Sequence, residues 1–266
     1  MIDNEKLISI AKEAAIEAGK IQLDFFGKAK EILFKSSEFD LVTNADKAAE
    51  EKILSIIKSN FPEHEFLAEE SGLSGDSTSD YVWVIDPIDG TTNYAHNFPH
   101  FAVSIGLLYK GEPCIGVVYD AFKKEMFWAI KDKGAYLNND KIQVTSVDSI
   151  RKALLATGFP GTNKAMIEEN LKYFTKFIYE AQAVRRPGSA ALDLCYVACG
   201  RLDGFWEMGL SPWDVAAGIC IVRESGGKVS NFAVENYDFK VKNIIATNGL
   251  IHSAIDTTIQ ELKNSK

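Results

Sequence analysis

Apolar positions near the start of the chain recur at helical spacing. Leu7, Ala11, Ala14, Ala18, Ile21 and Phe25 are separated by alternating steps of four and three, which predicts one buried helix face over about Asn4 to Phe26, with Gly27 as its stop. A second helix is predicted after Thr43, a candidate cap. It carries Asp46 in its first turn and Ala49, Ile53, Leu54 and Ile57 inward, and Phe61-Pro62 ends it. The short runs Phe66-Leu67-Ala68 and Tyr81-Val82-Trp83-Val84-Ile85 read as strands that stop at acidic residues. From Phe101 to Tyr136, turns such as Lys110-Gly111-Glu112-Pro113 and Lys131-Asp132-Lys133-Gly134 separate β-rich runs, the pattern of an antiparallel meander.

After about Ile150 strand and helix patterns alternate. Strands are predicted at Ala153 to Ala156, Gly204 to Glu207 and Ile244 to Thr247. Helices are predicted at Lys164 to Glu180, Ser189 to Cys199, Pro212 to Glu224 and a last one to about Leu262. The change of pattern divides the chain into an N-terminal α+β lobe, residues 1–149, and a C-terminal α/β lobe, residues 150–266, with a functional cleft between them. The class is α/β (α+β).

With 46% apolar and 25% charged residues, a chain of this length can bury a large core, and no long low-complexity run points to a linker. The longest apolar runs are too short to cross a bilayer and the first residues lack the order of a signal peptide, so a cytoplasmic protein is expected. Cys114, Cys195, Cys199 and Cys220 form no CxxC pair, and they read as buried free thiols. A net charge of −8 gives no strong signal for nucleic-acid binding, because binding a phosphate backbone needs a basic footprint. An acidic protein that acts on anions needs positive charge from elsewhere, and carboxylates that bind divalent cations supply it.

That requirement directs attention to Ile85-Asp86-Pro87-Ile88-Asp89-Gly90-Thr91-Thr92-Asn93. An apolar strand delivers Asp86, Pro87 is expected to end the strand, and Asp89-Gly90 to turn the chain so that both carboxylates face one point. Two acids at this spacing suit an oxygen-seeking cation such as Mg²⁺, with the Ile88 carbonyl as a further candidate ligand. Gly90, Thr91 and Thr92 offer backbone N–H groups for a phosphate if a helical turn starts there. Taken alone, Asp89-Gly90 also fits an ordinary turn. Glu69-Glu70 after the Phe66 run fits a solvated loop, and Asp214 in Trp213-Asp214-Val215-Ala216-Ala217-Gly218 fits an acid at a helix start. None of His64, His96, His100 and His252 has a triad-like setting, and no cysteine lies in a phosphate loop, so no nucleophilic side chain is evident.

Taken together, Asp40-Leu41-Val42-Thr43-Asn44-Ala45-Asp46, Ala68-Glu69-Glu70-Ser71-Gly72, Asp86 to Asn93 and Trp213 to Gly218 resemble, in order and spacing, the motifs of the inositol monophosphatase family. The resemblance runs from the first helix to the last. It implies a layered αβαβα sandwich of the inositol monophosphatase and fructose-1,6-bisphosphatase type and hydrolysis of small phosphate monoesters with two to three Mg²⁺ ions. Carried over by position, it implies Glu69, Asp86 and the Ile88 carbonyl on one ion, Asp86, Asp89 and Asp214 on a second, and Glu69 shared with a weaker third. Thr91, oriented by Asp46, and Glu69 would position the attacking water. The Gly90 and Thr91 amides, with Thr92 beside them, would hold the phosphate, and Glu70 would have a supporting role.

By the same resemblance, Glu207 and the Gly188-Ser189-Ala190 turn would meet hydroxyls of the leaving group; without it they read equally as a solvated acid and a helix cap. Lys35 and the pair Arg185-Arg186 either approach an anionic substrate or decorate the surface. The family implies an inositol-1-phosphate-type substrate, with the 2'-phosphate of NADP and fructose 1,6-bisphosphate as alternatives, inhibition by Li⁺, and a homodimer. For its contact face, the aromatic meander around Phe101, Phe122, Phe127 and Trp128 is a candidate, against the commoner reading of such residues as core. A reading of a different class is a regulatory protein that binds RNA or the transcription machinery.

Overall fold

The computed structural model describes residues 4–28, 32–34, 41–161, 163–233 and 236–264, so Lys35 and Asp40 lie outside the described residues. In chain order the elements are α1 (Asn4–Phe25), β1 (Ile32–Phe34), β2 (Leu41–Thr43), α2 (Asn44–Asn60), β3 (Glu65–Ala68), β4 (Gly72–Gly75), β5 (Tyr81–Asp89), α3 (Thr91–Ala95), β6 (Ala102–Tyr109), β7 (Glu112–Asp120), β8 (Glu125–Ile130), β9 (Gly134–Leu137) and β10 (Asp140–Ile142). There follow β11 (Leu154–Thr157), α4 (Lys164–Glu180), β12 (Ala183–Arg185), α5 (Ala190–Ala198), β13 (Gly204–Met208), α6 (Pro212–Glu224), β14 (Lys228–Ser230), β15 (Asn243–Thr247) and α7 (His252–Asn264). The predicted elements are all present. The short strands β1, β2, β4, β10, β12 and β14 were not predicted; each has only three or four residues, too few for a periodicity to show.

The layers follow from which faces are apolar. The inward residues of α1 and α2, among them Leu7, Ala14, Ile53 and Ile57, pack on Phe66, Trp83, Val103, Ile105 and Val117 of an eight-stranded sheet. Its order is β10-β9-β8-β7-β6-β5-β3-β4, antiparallel except where β3 pairs with β5. The other face of this sheet meets α5 and α6, which also cover Ala156, Phe205 and Ala246 of a second sheet, ordered β12-β11-β13-β15-β14. Outermost, Tyr173 and Phe177 of α4 and Ile255 and Ile259 of α7 pack on Leu155, Trp206 and Ile245. The result is the five-layer αβαβα sandwich.

Glycine sets how closely α6 lies on the first sheet. A side chain at Gly106 would stand 3.0 Å from the Ala217 nitrogen, and one at Gly116 would overlap the Ala217 carbonyl oxygen. Helix and strands therefore touch almost backbone to backbone, which brings the first turn of α6 down to the end of β5.

Two expectations need correction. Pro87 does not end the strand: β5 continues to Asp89 through a bulge in which Asp86 pairs with Ser104 and Asp89 with Ala102, so two residues on β5 oppose the single Val103. Proline lacks an N–H to donate, and a bulge is where a sheet tolerates that. The proposed aromatic face also breaks up. Phe101 and Phe127 are fully buried, Trp128 is half-buried and stacked on Tyr136, and Phe122 remains at 49% exposure. Among the described residues no helix is long and apolar enough to cross a membrane.

Candidate active site

The bulge determines where the carboxylates point. In a regular strand, residues three apart face opposite sides, so Asp86 and Asp89 would be separated by the sheet. One extra residue restores the phase: both sit opposite the alternate residues Ser104 and Ala102, on the side where α6 lies, and Ser104 donates to the Trp213 carbonyl at 3.1 Å. Asp214, in the first turn of α6, meets them there. Ligand oxygens of Asp86, Asp89 and Asp214 lie within 4.8 Å of one another. Glu69 directly follows β3, its N–H bonded to the Ile85 carbonyl at 3.0 Å, and its carboxylate lines the same cavity as Asp89 and Asp214.

Each acid is held by its neighbours. Asp89 accepts from the Ser189 hydroxyl and, at 2.8 Å, from the Ala191 N–H. Asp86 accepts from the Ile88 N–H at 2.9 Å. Asp214 accepts from the Ser211 N–H at 2.6 Å, so the ordinary helix-cap reading of this residue and its place in the cluster are both true. The bulge is buttressed from α1, where Gln22 donates to the Pro87 carbonyl at 2.7 Å and Tyr94 donates to the Gln22 carbonyl at 2.7 Å.

Burial, and then the other acids, push the Asp86 carboxyl well above its ordinary range, and burial with the nearby Asp89 does the same to Asp214. Burial also raises Asp89, to about 6, against the pull of its Ser189 and Ala191 donors. An all-oxygen donor set that strains against its own charge fits a hard divalent cation, which would relieve the repulsion. A stability prediction follows. These acids bind protons more tightly folded than unfolded, so their contribution in the cation-free protein is greatest below the ordinary carboxylate range of about 4 and is lost as pH rises through about 6. At about pH 7.5, millimolar Mg²⁺ is expected to raise the thermal midpoint by on the order of 5 °C, and at about pH 5 by less, because protons compete with the cation. Scanning calorimetry with Mg²⁺ or EDTA at both values checks this; an equal midpoint with and without Mg²⁺ at the higher pH would refute it.

The cavity beside the cluster holds about 230 Å³ and is lined by Glu69, Asp89, Gly90, Thr91, Thr92, Gly158, Arg186, Gly188, Ala190, Glu207, Leu210 and Asp214. Gly90 has φ 94° and precedes α3, so a left-handed residue turns the chain from β5 into the short helix. The Thr91 hydroxyl donates to the Ile88 carbonyl at 3.0 Å, while Asp46, fully buried at the start of α2, lies at the outer limit of hydrogen bonding, 3.5 Å away.

Several expected contacts are placed differently. Ser189 is 1% exposed and its hydroxyl is turned to Asp89, so it supports a carboxylate instead of facing the cavity. Glu70 lies outside the lining, its N–H held by Glu50 at 2.8 Å. Arg185 is exposed, with its guanidinium on the Val184 carbonyl, while Arg186 reaches the cavity. Adjacent residues of an extended segment point to opposite sides, and the sequence does not say which of two arginines faces in.

Sequence reasoning also missed residues. Asn93 was quoted in the motif without a role, and its amide donates to the carbonyls of His100, Pro187 and Gly188 at 2.8, 2.9 and 3.3 Å, joining α3 to the start of α5. Asp193 on α5 is buried behind the site, raised by burial and then by Glu207. Gly158 carried no signal at all. Burial raises Glu207 to about 8, opposed by the charge of Arg186.

The inositol monophosphatase family profile matches residues 3–265. The chain is 47% identical over 257 residues to an inositol-1-monophosphatase of Synechocystis, covering 97% of this chain and 90% of that one. It is 42% identical to the Nus factor SuhB of Vibrio cholerae, covering 97% of each. The structure of an inositol monophosphatase from Anabaena superposes with a TM-score of 0.87 at 42% identity, covering 97% of this chain and 96% of that one. With this profile spanning nearly its whole length, the chain belongs to the inositol monophosphatase family.

Proposed function

We propose that the chain is a Mg²⁺-dependent phosphatase that hydrolyses inositol-1-phosphate-type esters of small polyols. The observation that carries this reading is the convergence of Asp86, Asp89 and Asp214 beside a cavity lined by two kinds of group. The Gly90-Thr91-Thr92 turn offers N–H groups at a helix start, which suit phosphate oxygens; Glu207 and Arg186 suit a polar leaving group.

Asp86, Asp89 and Asp214, with Glu69 and the Ile88 carbonyl, would hold the Mg²⁺ ions. When bound, Mg²⁺ supplies positive charge to the phosphoryl oxygens and makes water more acidic. The Glu69 carboxylate accepts the proton of the attacking water, and Thr91 orients that water with the hydroxyl it now donates to Ile88. The Gly90 and Thr91 amides fix the phosphate so that attack runs in line with the departing oxygen. Asp46 orients Thr91, and Glu70 has a supporting role beside Glu69, its own N–H held by Glu50.

We assign residues 1–149 and 150–266 to two lobes of one catalytic unit, since each large sheet draws on one of these spans, while α5 and α6 of the second fill the space between the sheets. A cytoplasmic homodimer, inhibited by Li⁺, completes the proposal on the strength of the family resemblance.

Phosphate release from inositol 1-phosphate, fructose 1,6-bisphosphate, NADP and 3'-phosphoadenosine 5'-phosphate, with Mg²⁺ and with EDTA, tests it. The expected result is release that needs Mg²⁺, with the highest kcat/KM on inositol 1-phosphate. A folded, Mg²⁺-binding protein that released phosphate from none of these would overturn the proposal. It would favour a regulatory role, the reading to which the likeness to a Nus factor lends support.

A further inference from the structure

Glu207 reaches the cavity from β13, and what lies beneath its carboxylate is a glycine. Thr157 of β11 pairs with Trp206 of the parallel β13, so Gly158, the next residue, stands beside Glu207 on the cavity side. A Cβ at Gly158 would overlap both Glu207 carboxylate oxygens and the carbon between them. The carboxylate therefore lies directly over the Gly158 Cα. Gly158 does not have the positive φ that only glycine tolerates well, so the backbone does not require this residue; the space above it does.

The same peptide is fixed from the far side of the sheet. Asn170 on α4 is fully buried, and its amide donates to the Gly158 carbonyl at 2.7 Å and to the Thr157 hydroxyl at 3.2 Å. Its own carbonyl accepts from the Trp206 indole N–H at 2.7 Å. One side chain thus ties the end of β11 to the residue that precedes Glu207, with Trp206 and Glu207 on opposite faces of β13.

We infer that Gly158 is a specificity-determining residue: its missing side chain is the seat of the Glu207 carboxylate, Asn170 is the positioning residue that sets the seat, and the pair selects phosphate esters whose leaving group carries a hydroxyl over esters whose leaving group has none. This rests on the phosphatase reading above. The atom that would be struck is the free end of a flexible side chain, so an added methyl displaces Glu207 without disturbing the fold.

The experiment compares kcat/KM for inositol 1-phosphate with that for phenyl phosphate, whose leaving group has no second hydroxyl, in wild type, Gly158→Ala, Glu207→Ala, the double variant and Asn170→Ala. In Gly158→Ala the ratio is expected to fall about tenfold, the loss of one buried hydrogen bond, and to fall through KM on inositol 1-phosphate. Glu207→Ala should give a similar fall and the double variant no further one, because both changes remove the same interaction. Asn170→Ala should lower the ratio in the same direction. An unchanged ratio in Gly158→Ala, or falls that add in the double variant, overturns the seat while leaving the phosphatase reading intact. A lower thermal midpoint with an unchanged ratio in Asn170→Ala removes its positioning role. Release of phosphate from neither ester by the wild type overturns the phosphatase reading and the seat with it.

Discussion

Asp89→Asn is expected to lower kcat/KM for Mg²⁺-dependent phosphate release by on the order of 10³-fold, the equivalent of several kcal/mol of transition-state charge stabilisation. Asp89 belongs to the three-acid cluster and also lines the cavity, so it would touch both a bound cation and a phosphate held beside it. An amide keeps the shape and one acceptor for the Ala191 N–H, but it contributes no charge. The same substitution is not expected to unfold the protein. Burial raises the Asp89 carboxyl to about 6, so at neutral pH its ionised form costs the cation-free protein stability that asparagine does not. The expected pattern is lost turnover with a cation-free thermal midpoint equal to or above that of wild type. Turnover within tenfold of wild type would remove Asp89 from the catalytic cluster.

The second large effect is structural. Gly116→Ala is expected to destabilise the fold by about 3 kcal/mol, the upper part of the usual range for overpacking, as read from urea unfolding. The added methyl would overlap the Ala217 carbonyl oxygen and stand 3.0 Å from its carbon and 3.2 Å from its Cα. These are backbone atoms of α6, which no rotamer change moves out of the way. The helix must lift, and Asp214 in its first turn lifts with it. Residual folded protein should therefore bind Mg²⁺ more weakly than wild type. A stability loss below about 1 kcal/mol would show that helix and sheet are not packed this closely.

Which of these features could be read before the structure depended on the range of the interactions behind them. The first helix, the meander and α6 were legible because a single face of regular spacing, or a turn every few residues, is a local signal. Asp86 and Asp214 were legible as candidates because each sits at the end of a predicted element, and Asp89 because it stands in the turn after one. Local rules expected that turn to aim Asp86 and Asp89 at one point, and only the family resemblance added Asp214; what brings the three together is instead the bulge at Pro87, which those rules read as a strand end, and two glycines in β6 and β7 that let α6 approach. Ser189 stayed between two readings for a related reason. A serine at a helix start reads equally as a cap or as a ligand contact, and here its hydroxyl both caps Leu192 at 3.4 Å and donates to Asp89, a hundred residues away in sequence. Gly158 gave no warning because the feature that matters is empty space beside a side chain from another strand.

The bulge in β5 acts as a phase shift written into the sheet. Up to Asp86 the strand is in one frame, and after it every side chain is moved by one position relative to β6. The chemistry of the site thus depends on how the residues between Ile85 and Gly90 pair as much as on their identity. Regular pairing of the same residues, with Pro87 opposite Val103 and Ile88 opposite Ala102, would send Asp89 toward the layer of α1 and α2, and leave two acids on α6's side with no third partner from this strand. The extra residue opposite Val103 is therefore part of the motif, because one residue of slippage inverts the sheet face on which it is displayed.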